Sequence, residues 1–470
     1  MSGAITAVRT NAREHRASIL VSALSSAFGV SLLAATGVLA TYVSQDRVGE
    51  HGSVQLALSI VAGVFIVIAI YVGAIVTTNT FATIVAGRTR TIALLRLIGS
   101  SSRAQRRAVA GEGFVVGVIG AVGGAVVGVT LTIVAVRIFV AVGTLPDLAY
   151  AMIEPAYLLP VVVVVLTTWL ASWVGSRRVL SVTPIQAIGA AQEPTGDELR
   201  RKPIRNGVAF TLIGIGVALL AGGIYIGLFS QFGVLVGLVG GILSFTGIVL
   251  AAHLFMPAVL RGVGLMFGRS APARLAAANA VRNPERSTRT TIGLVIGVTL
   301  ITMFVVAASS YQQMILVAQQ KYPELFQGVD RVITVTMVVF SVLIGFSAVI
   351  AAIGVVNNLS LSVLQRTREL GLLRALGFSA GQVRRLILSE SAQLTIAAVL
   401  AGLALGVAYG WVGAQSLLGS IPGAGLVLPV VPWGLLVLAA IGAAGLAIVA
   451  SVAPTRRATG VSPVVALAVD

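Results

Sequence analysis

"RTRELGLLRALGFSAGQVRRLILSE", Arg366–Glu390, lies between two stretches apolar enough to cross a membrane. Its leucines Leu370, Leu373 and Leu376 fall at helical spacing, with Arg366 and Arg374 on other faces and Gly377 placed to end the helix. A second stretch, "RTRTIALLRLIGSSSRAQRRAVAGE", Arg88–Glu112, matches it at an offset of 278 with 11 identities in 25 positions. The identities include Arg88/Arg366, Arg90/Arg368, Arg96/Arg374, Gly99/Gly377 and Glu112/Glu390; Asn79 also falls on Asn357. Further on, "RRVLSVTPIQAI" (Arg177–Ile188) matches "RRATGVSPVVAL" (Arg456–Leu467) at an offset of 279. The chain is a tandem of two related units.

The 470 residues are 57% hydrophobic and 10% charged, with mean hydropathy +1.01. Soluble domains carry about 25% charged residues, so this chain is an integral membrane protein. Ten segments reach spanning length: 19–43, 56–80, 113–138, 157–175, 208–229, 232–256, 290–310, 332–357, 391–413 and 432–452. The first follows Arg9, Arg13 and Arg16; its apolar run exceeds a signal-peptide core and reads as an uncleaved span.

The net charge of +17 is explained by sidedness. With a cytoplasmic N-terminus, 28 of the 32 basic residues fall on the inner side. Only Arg47, Arg137, Lys321 and Arg331 lie outside. Nucleic acid is not needed to account for the charge, and both termini read as cytoplasmic. Outer loops are short; the longest contains "QQKYPELFQGVD" (Gln319–Asp330).

The predicted fold class is therefore all-α and integral to the membrane, with ten transmembrane helices arranged 4+2+4. Residues 1–190 form the first four-span unit, 191–207 a cytoplasmic linker, 208–268 a two-span connector and 269–470 the second unit. Each basic segment joins the second and third spans of its unit, so the repeats are parallel in topology, not inverted. Such a segment reads either as an interfacial connector held by anionic lipid or as a docking helix. A lipid anchor explains arginines, but not why Arg-Thr-Arg…Leu-Leu-Arg…Gly recurs at equal spacing.

Arg366–Glu390, followed by its apolar span, resembles the FtsX-like permease domain of ABC transporters, the mechanotransmission or type VII class. "AAANAVRNPERSTRT" (Ala276–Thr290) resembles that family's amphipathic helix before its first span, and "AITAVRTNAREHRAS" (Ala4–Ser18) is a weaker version. The ten-span layout is most similar to bacitracin-resistance-type permeases, without their large extracellular domain. The resemblance implies that the basic helices dock on a separate ATPase subunit, through Arg88, Arg90, Arg96 and Gly99 in the first copy. In the second copy Arg366, Arg368, Glu369, Arg374 and Gly377 would serve. Thr91 stands where Glu369 stands in the second copy, so the two sites are not equivalent.

No G-x-x-x-x-G-K-[ST] occurs; neither lysine, Lys202 or Lys321, follows the required glycines. The chain is not expected to be an enzyme, and ATP and magnesium belong to the partner. With no cysteine and three scattered histidines (His15, His51, His253), no metal site is readable. His253 is the one ionisable residue well inside a span; it reads as paired to a carbonyl or hydroxyl, or as a proton relay. Glu112 and Glu390 sit at the mouths of spans three and nine, as partners of nearby arginines or as gate residues.

These readings converge on the permease subunit of an ABC transporter in the bacterial plasma membrane. Two ATPase subunits would drive export or extraction of a lipophilic or amphiphilic substrate: peptide, lipid, drug or haem-like. The alternatives are a non-transporting signal transmitter driven by the same ATPase, and a secondary transporter. Ion-coupled carriers usually keep acidic residues near the midplane, and no span here contains one.

Overall fold

The computed structural model describes residues 12–43, 97–143, 145–151, 153–176, 203–267, 284–324 and 372–442, with scattered positions at 56–95, 278, 333–352 and 444–445. Among them every regular element is helical. The long helices are α1 (Ala12–Val43), α2 (Ser102–Ala141), α3 (Leu158–Gly175), α4 (Pro203–Gly227), α5 (Gly233–Gly264), α6 (Pro284–Lys321) and α7 (Ala380–Leu418). All seven include a stretch long and apolar enough to cross a bilayer. Shorter apolar helices lie at Ile66–Ile75 and Trp433–Gly442, the latter named α8. The span expected at 332–357 falls largely outside the described residues, and those expected at 56–80 and 432–452 fall outside them in part.

Two compact units divide the chain: residues 1–192 with 327–346, and residues 193–326 with 347–470. In the first unit α2 packs along α1 and α3. Lipid offers no hydrophobic force between helices, so close approach and hydroxyl–carbonyl bonds hold them. Gly120, Gly124 and Gly128 of α2 lie against Ile19–Ala27 of α1, running parallel. The Ser26 hydroxyl donates to the Ala121 carbonyl at 2.7 Å, and Ser31 donates to Gly128 at 3.2 Å. The Ser22 and Thr168 hydroxyls, 3.1 Å apart, tie α1 to α3.

The second unit repeats this packing. Gly402, Gly406 and Gly410 of α7 face Val298, Thr302 and Val306 of α6, again in parallel. Gly124 and Gly402 are one repeat apart, as are Gly128 and Gly406, so duplication preserved the helix contact as well as the basic segment.

The two helices between the repeats form an antiparallel hairpin that belongs to the second unit. Gly223 of α4 meets Gly237 of α5, and Gly216 meets Ser244. The hairpin seats on α7: Gly227 touches the Ser416 backbone, and the Ser244 and Tyr409 hydroxyls lie 2.9 Å apart. At the other end Met256, Leu260 and Val263 of α5 join Leu294 and Val298 of α6 and Leu394 and Ala397 of α7 in one buried cluster.

Candidate functional site

Both basic segments fold into the same elbow. In the second copy a helical turn over 372–375 ends at Gly377, which holds φ at +99°. The Phe378 amide donates back to the Leu373 carbonyl at 3.1 Å, and the Leu376 amide to Leu372 at 2.9 Å. In the first copy the Ser100 amide donates to the Leu95 carbonyl at 2.9 Å, and Gly99 also holds φ at +99°. A left-handed residue followed by this long backward bond is a Schellman stop, which favours glycine.

A new helix starts two residues later. Ser379 accepts from the Gln382 amide at 3.2 Å while the Gln382 side chain accepts from the Ser379 amide at 2.9 Å, a complete capping box. Ser101 accepts from the Ala104 amide at 3.1 Å. The copies differ in the staple across this cap. Phe378 packs on Val383 and Ile387, whereas the Gln105 side-chain Nε2 donates to the Ser100 hydroxyl at 2.8 Å.

The sequence places the spans at 113–138 and 391–413, but α2 begins at Ser102 and α7 at Ala380. Arg384 and Arg385, like Arg106 and Arg107, therefore ride on the same continuous helix that crosses the membrane. No loop separates the elbow from the apolar stretch of either helix. The sequence signal for this was Ser379 with Gln382 three residues on, a helix-start pattern.

Each elbow ends in a bare apolar tip. Ile98 is 81% exposed and its counterpart Leu376 is 71% exposed. Leu94 and Leu372, one turn earlier, are exposed as well. Arg103, Arg107, Arg384 and Arg385 are exposed beside these tips, and neither following helix has an acidic residue in its first turn. The positive helix N-terminus and the arginines add in sign, so the local field is positive.

Of the residues expected to dock, Gly99, Arg374 and Gly377 are placed in the elbows, with Arg374 half-buried. Arg88, Arg90, Arg96, Arg366, Arg368 and Glu369 lie outside the described residues. Glu112 and Glu390 are half-buried at equivalent points of α2 and α7. His253 is elsewhere, buried in α5, its Nδ1 donating to the Leu250 carbonyl at 2.9 Å. Pro257, four residues on, has no N–H to give the His253 carbonyl.

A contact that spacing did not reveal braces the first elbow. Arg106 lies over the Trp173 indole, 3.9 Å from the ring centroid, and donates to the Trp173 carbonyl at 3.2 Å. This clamps the start of α2 to the end of α3. The repeat offsets of 278 and 279 put Ser451 or Val452 where Trp173 stands, so no indole is aligned with it in the second copy.

Comparison with known proteins accords with this geometry. Over 87 residues the chain is 34% identical to an uncharacterized ABC transporter permease of Bacillus subtilis, YknZ, covering 18% of this chain and 21% of that one. It is 30% identical over 129 residues to the ABC transporter permease YtrF of the same organism, covering 26% of this chain and 30% of that one. It is 33% identical over 126 residues to the pyoverdine export ATP-binding/permease protein PvdT of Pseudomonas aeruginosa, covering 26% of this chain and 17% of that one. The matches thus span less than a third of each relative's length. The model of the FtsX-like permease C-terminal domain matches twice, at residues 63–184 and 341–463. These ranges start 278 residues apart and end 279 apart, the offsets of the internal repeat. Together they cover more than half of this multi-pass protein of the bacterial cell membrane, and the chain belongs to the FtsX-like permease family.

Proposed function

We infer that this chain is the membrane subunit of an ABC system whose two elbows dock two copies of a separate ATPase. The observation that carries the reading is the duplicated elbow: an exposed apolar tip among arginines, rigidly capped and continuous with a span. Closure of the two ATPases on ATP would push Ile98 and Leu376, and α2 and α7 would transmit the movement across the membrane. No phosphate-cradling lysine motif occurs in the chain, so hydrolysis belongs to the partner.

The reading includes ten spans, arranged 4+2+4, with both termini cytoplasmic and one permease for two ATPases. The domain limits proposed from the repeat are 1–190, 208–268 and 269–470, with 191–207 as a linker. The cargo would be lipophilic or amphiphilic, given apolar, nearly uncharged spans, and its direction outward, as the name of the pyoverdine export relative suggests. Docking contacts would come from Arg88, Arg90 and Arg96 in one elbow, and Arg366, Arg368, Glu369 and Arg374 in the other.

The test compares Glu369→Ala with Thr91→Ala in pull-down affinity for the ATPase and in stimulated ATP hydrolysis. A charge-assisted bond lost at Glu369 is worth about 1.5–3 kcal/mol, so affinity should fall roughly tenfold or more. Thr91→Ala should change little. Small, equal effects would assign the elbows to lipid. A native mass with two permeases for two ATPases would sink the stoichiometry alone.

A further inference from the structure

The segment joining α7 to α8, residues 419–432, carries no charge, and no charged residue occurs anywhere from Ser391 to Thr455. Leu426, Leu428 and Trp433 are 66%, 81% and 73% exposed. Water-facing loops are seldom so apolar, yet this backbone is firmly held. Gln415 of α7 donates to the Gly425 carbonyl at 2.7 Å and accepts from the Val427 amide at 3.1 Å. The Trp411 indole donates to the Val427 carbonyl at 2.7 Å. From α6, the Ser310 hydroxyl accepts from the Val430 amide at 3.4 Å and the Lys321 ammonium donates to the Gly423 carbonyl at 3.0 Å.

A loop in water can leave such groups to solvent. In lipid each must be satisfied within the protein, because an unpaired one costs several kcal/mol. Here three carbonyls and two amides are bonded inward by side chains of two helices. Pro422, Pro429 and Pro432 have no N–H to satisfy. The corresponding loop of the first unit is built differently. It carries Asp147, exposed, and Glu154; the Tyr150 hydroxyl donates to the nearby Pro146 carbonyl at 3.0 Å and the Tyr157 hydroxyl to the Ala151 carbonyl at 3.3 Å.

We propose that residues 419–433 form a lipid-contacting wedge, seated in the headgroup–acyl boundary at the C-terminal end of α7. The occupant of its exposed face is phospholipid. The face runs on into the exposed Leu435, Leu438 and Ile441 of α8, and Trp433 stands where an indole favours the membrane interface. If the orientation proposed above holds, the leaflet is the outer one, from which an amphiphilic cargo would be drawn. The depth of the wedge does not rest on that reading.

The sequence has no cysteine, so single labels are direct. Full-length Leu428→Cys and Asp147→Cys chains carry a nitrobenzoxadiazole probe in vesicles of phosphatidylcholine and phosphatidylglycerol. Both side chains are exposed, so the fold should be kept, as gel filtration would verify; Leu426→Cys provides a second position in the wedge. Expected at Leu428 is strong quenching by shallow doxyl lipids and several-fold weaker quenching by aqueous iodide than at Asp147. Equal iodide quenching at the two positions overturns the proposal. So does a Leu428 probe shielded from both quenchers, which would mean a protein cover. Neither readout involves ATP hydrolysis, so a failure of the transporter reading would leave the result standing.

Discussion

Gly99 and Gly377, one repeat apart, hold the same left-handed backbone, φ +99° at both. A Cβ added at either would meet no atom within 4 Å. The demand for glycine is therefore conformational and not spatial. Replacing either by alanine should cost about 1–2 kcal/mol through backbone strain. Asparagine, which tolerates this region, should cost less. Thermal unfolding of the purified variants reads the difference; equal losses for Ala and Asn would argue against the Schellman stop.

Arg106 should be less replaceable than its repeat partner. Arg106→Lys keeps the charge but loses the flat stacking on Trp173, at about 1 kcal/mol. Arg384→Lys, at an exposed position without an aligned indole, should stay within about 0.5 kcal/mol of the parent. Comparing the two melting shifts decides whether the first elbow alone is clamped.

The glycine stripes make a sharper contrast. A methyl at Gly124 would meet the Ala23 carbonyl, and one at Gly406 would meet the Thr302 side chain and the Thr299 carbonyl. Neither backbone can yield without moving a helix, so Gly124→Ala and Gly406→Ala should each cost about 3 kcal/mol, the upper range for overpacking. Gly123→Ala and Gly413→Ala face open space and should be neutral or slightly stabilising. Yield of monodisperse protein in detergent and its melting temperature would separate the pairs.

The hairpin's seat on α7 can be weighed by a double-mutant cycle on Ser244 and Tyr409, whose hydroxyls are 2.9 Å apart. Ser244→Ala and Tyr409→Phe should show a coupling of about 0.5–1.5 kcal/mol. Additive effects would mean that the hydroxyl pair contributes nothing to holding α4–α5 on the second unit.

Sequence alone determined the class of protein, the tandem repeat and its 278-residue offset, because hydropathy and residue order are one-dimensional properties. It also marked Gly99 and Gly377, since a left-handed helix stop demands glycine wherever it occurs. The elbow's second half carries a helix-start pattern in Ser379 and Gln382, although the apolar count alone starts the span 11 residues, about three turns, after the helix begins. Tertiary structure decided what no spacing encodes. Arg106 meets Trp173 across 67 residues, and Ser244 meets Tyr409 across 165, because separate helices bring them together. The hairpin between the repeats reads as a connector by position, yet its glycines admit the backbone of a neighbour, and it packs into the second unit. Leu428 looks like any apolar loop residue until Gln415, Trp411 and Ser310 are seen holding the backbone around it. Which glycine is a contact and which is open space depends on what lies across from it, and only the folded chain supplies that.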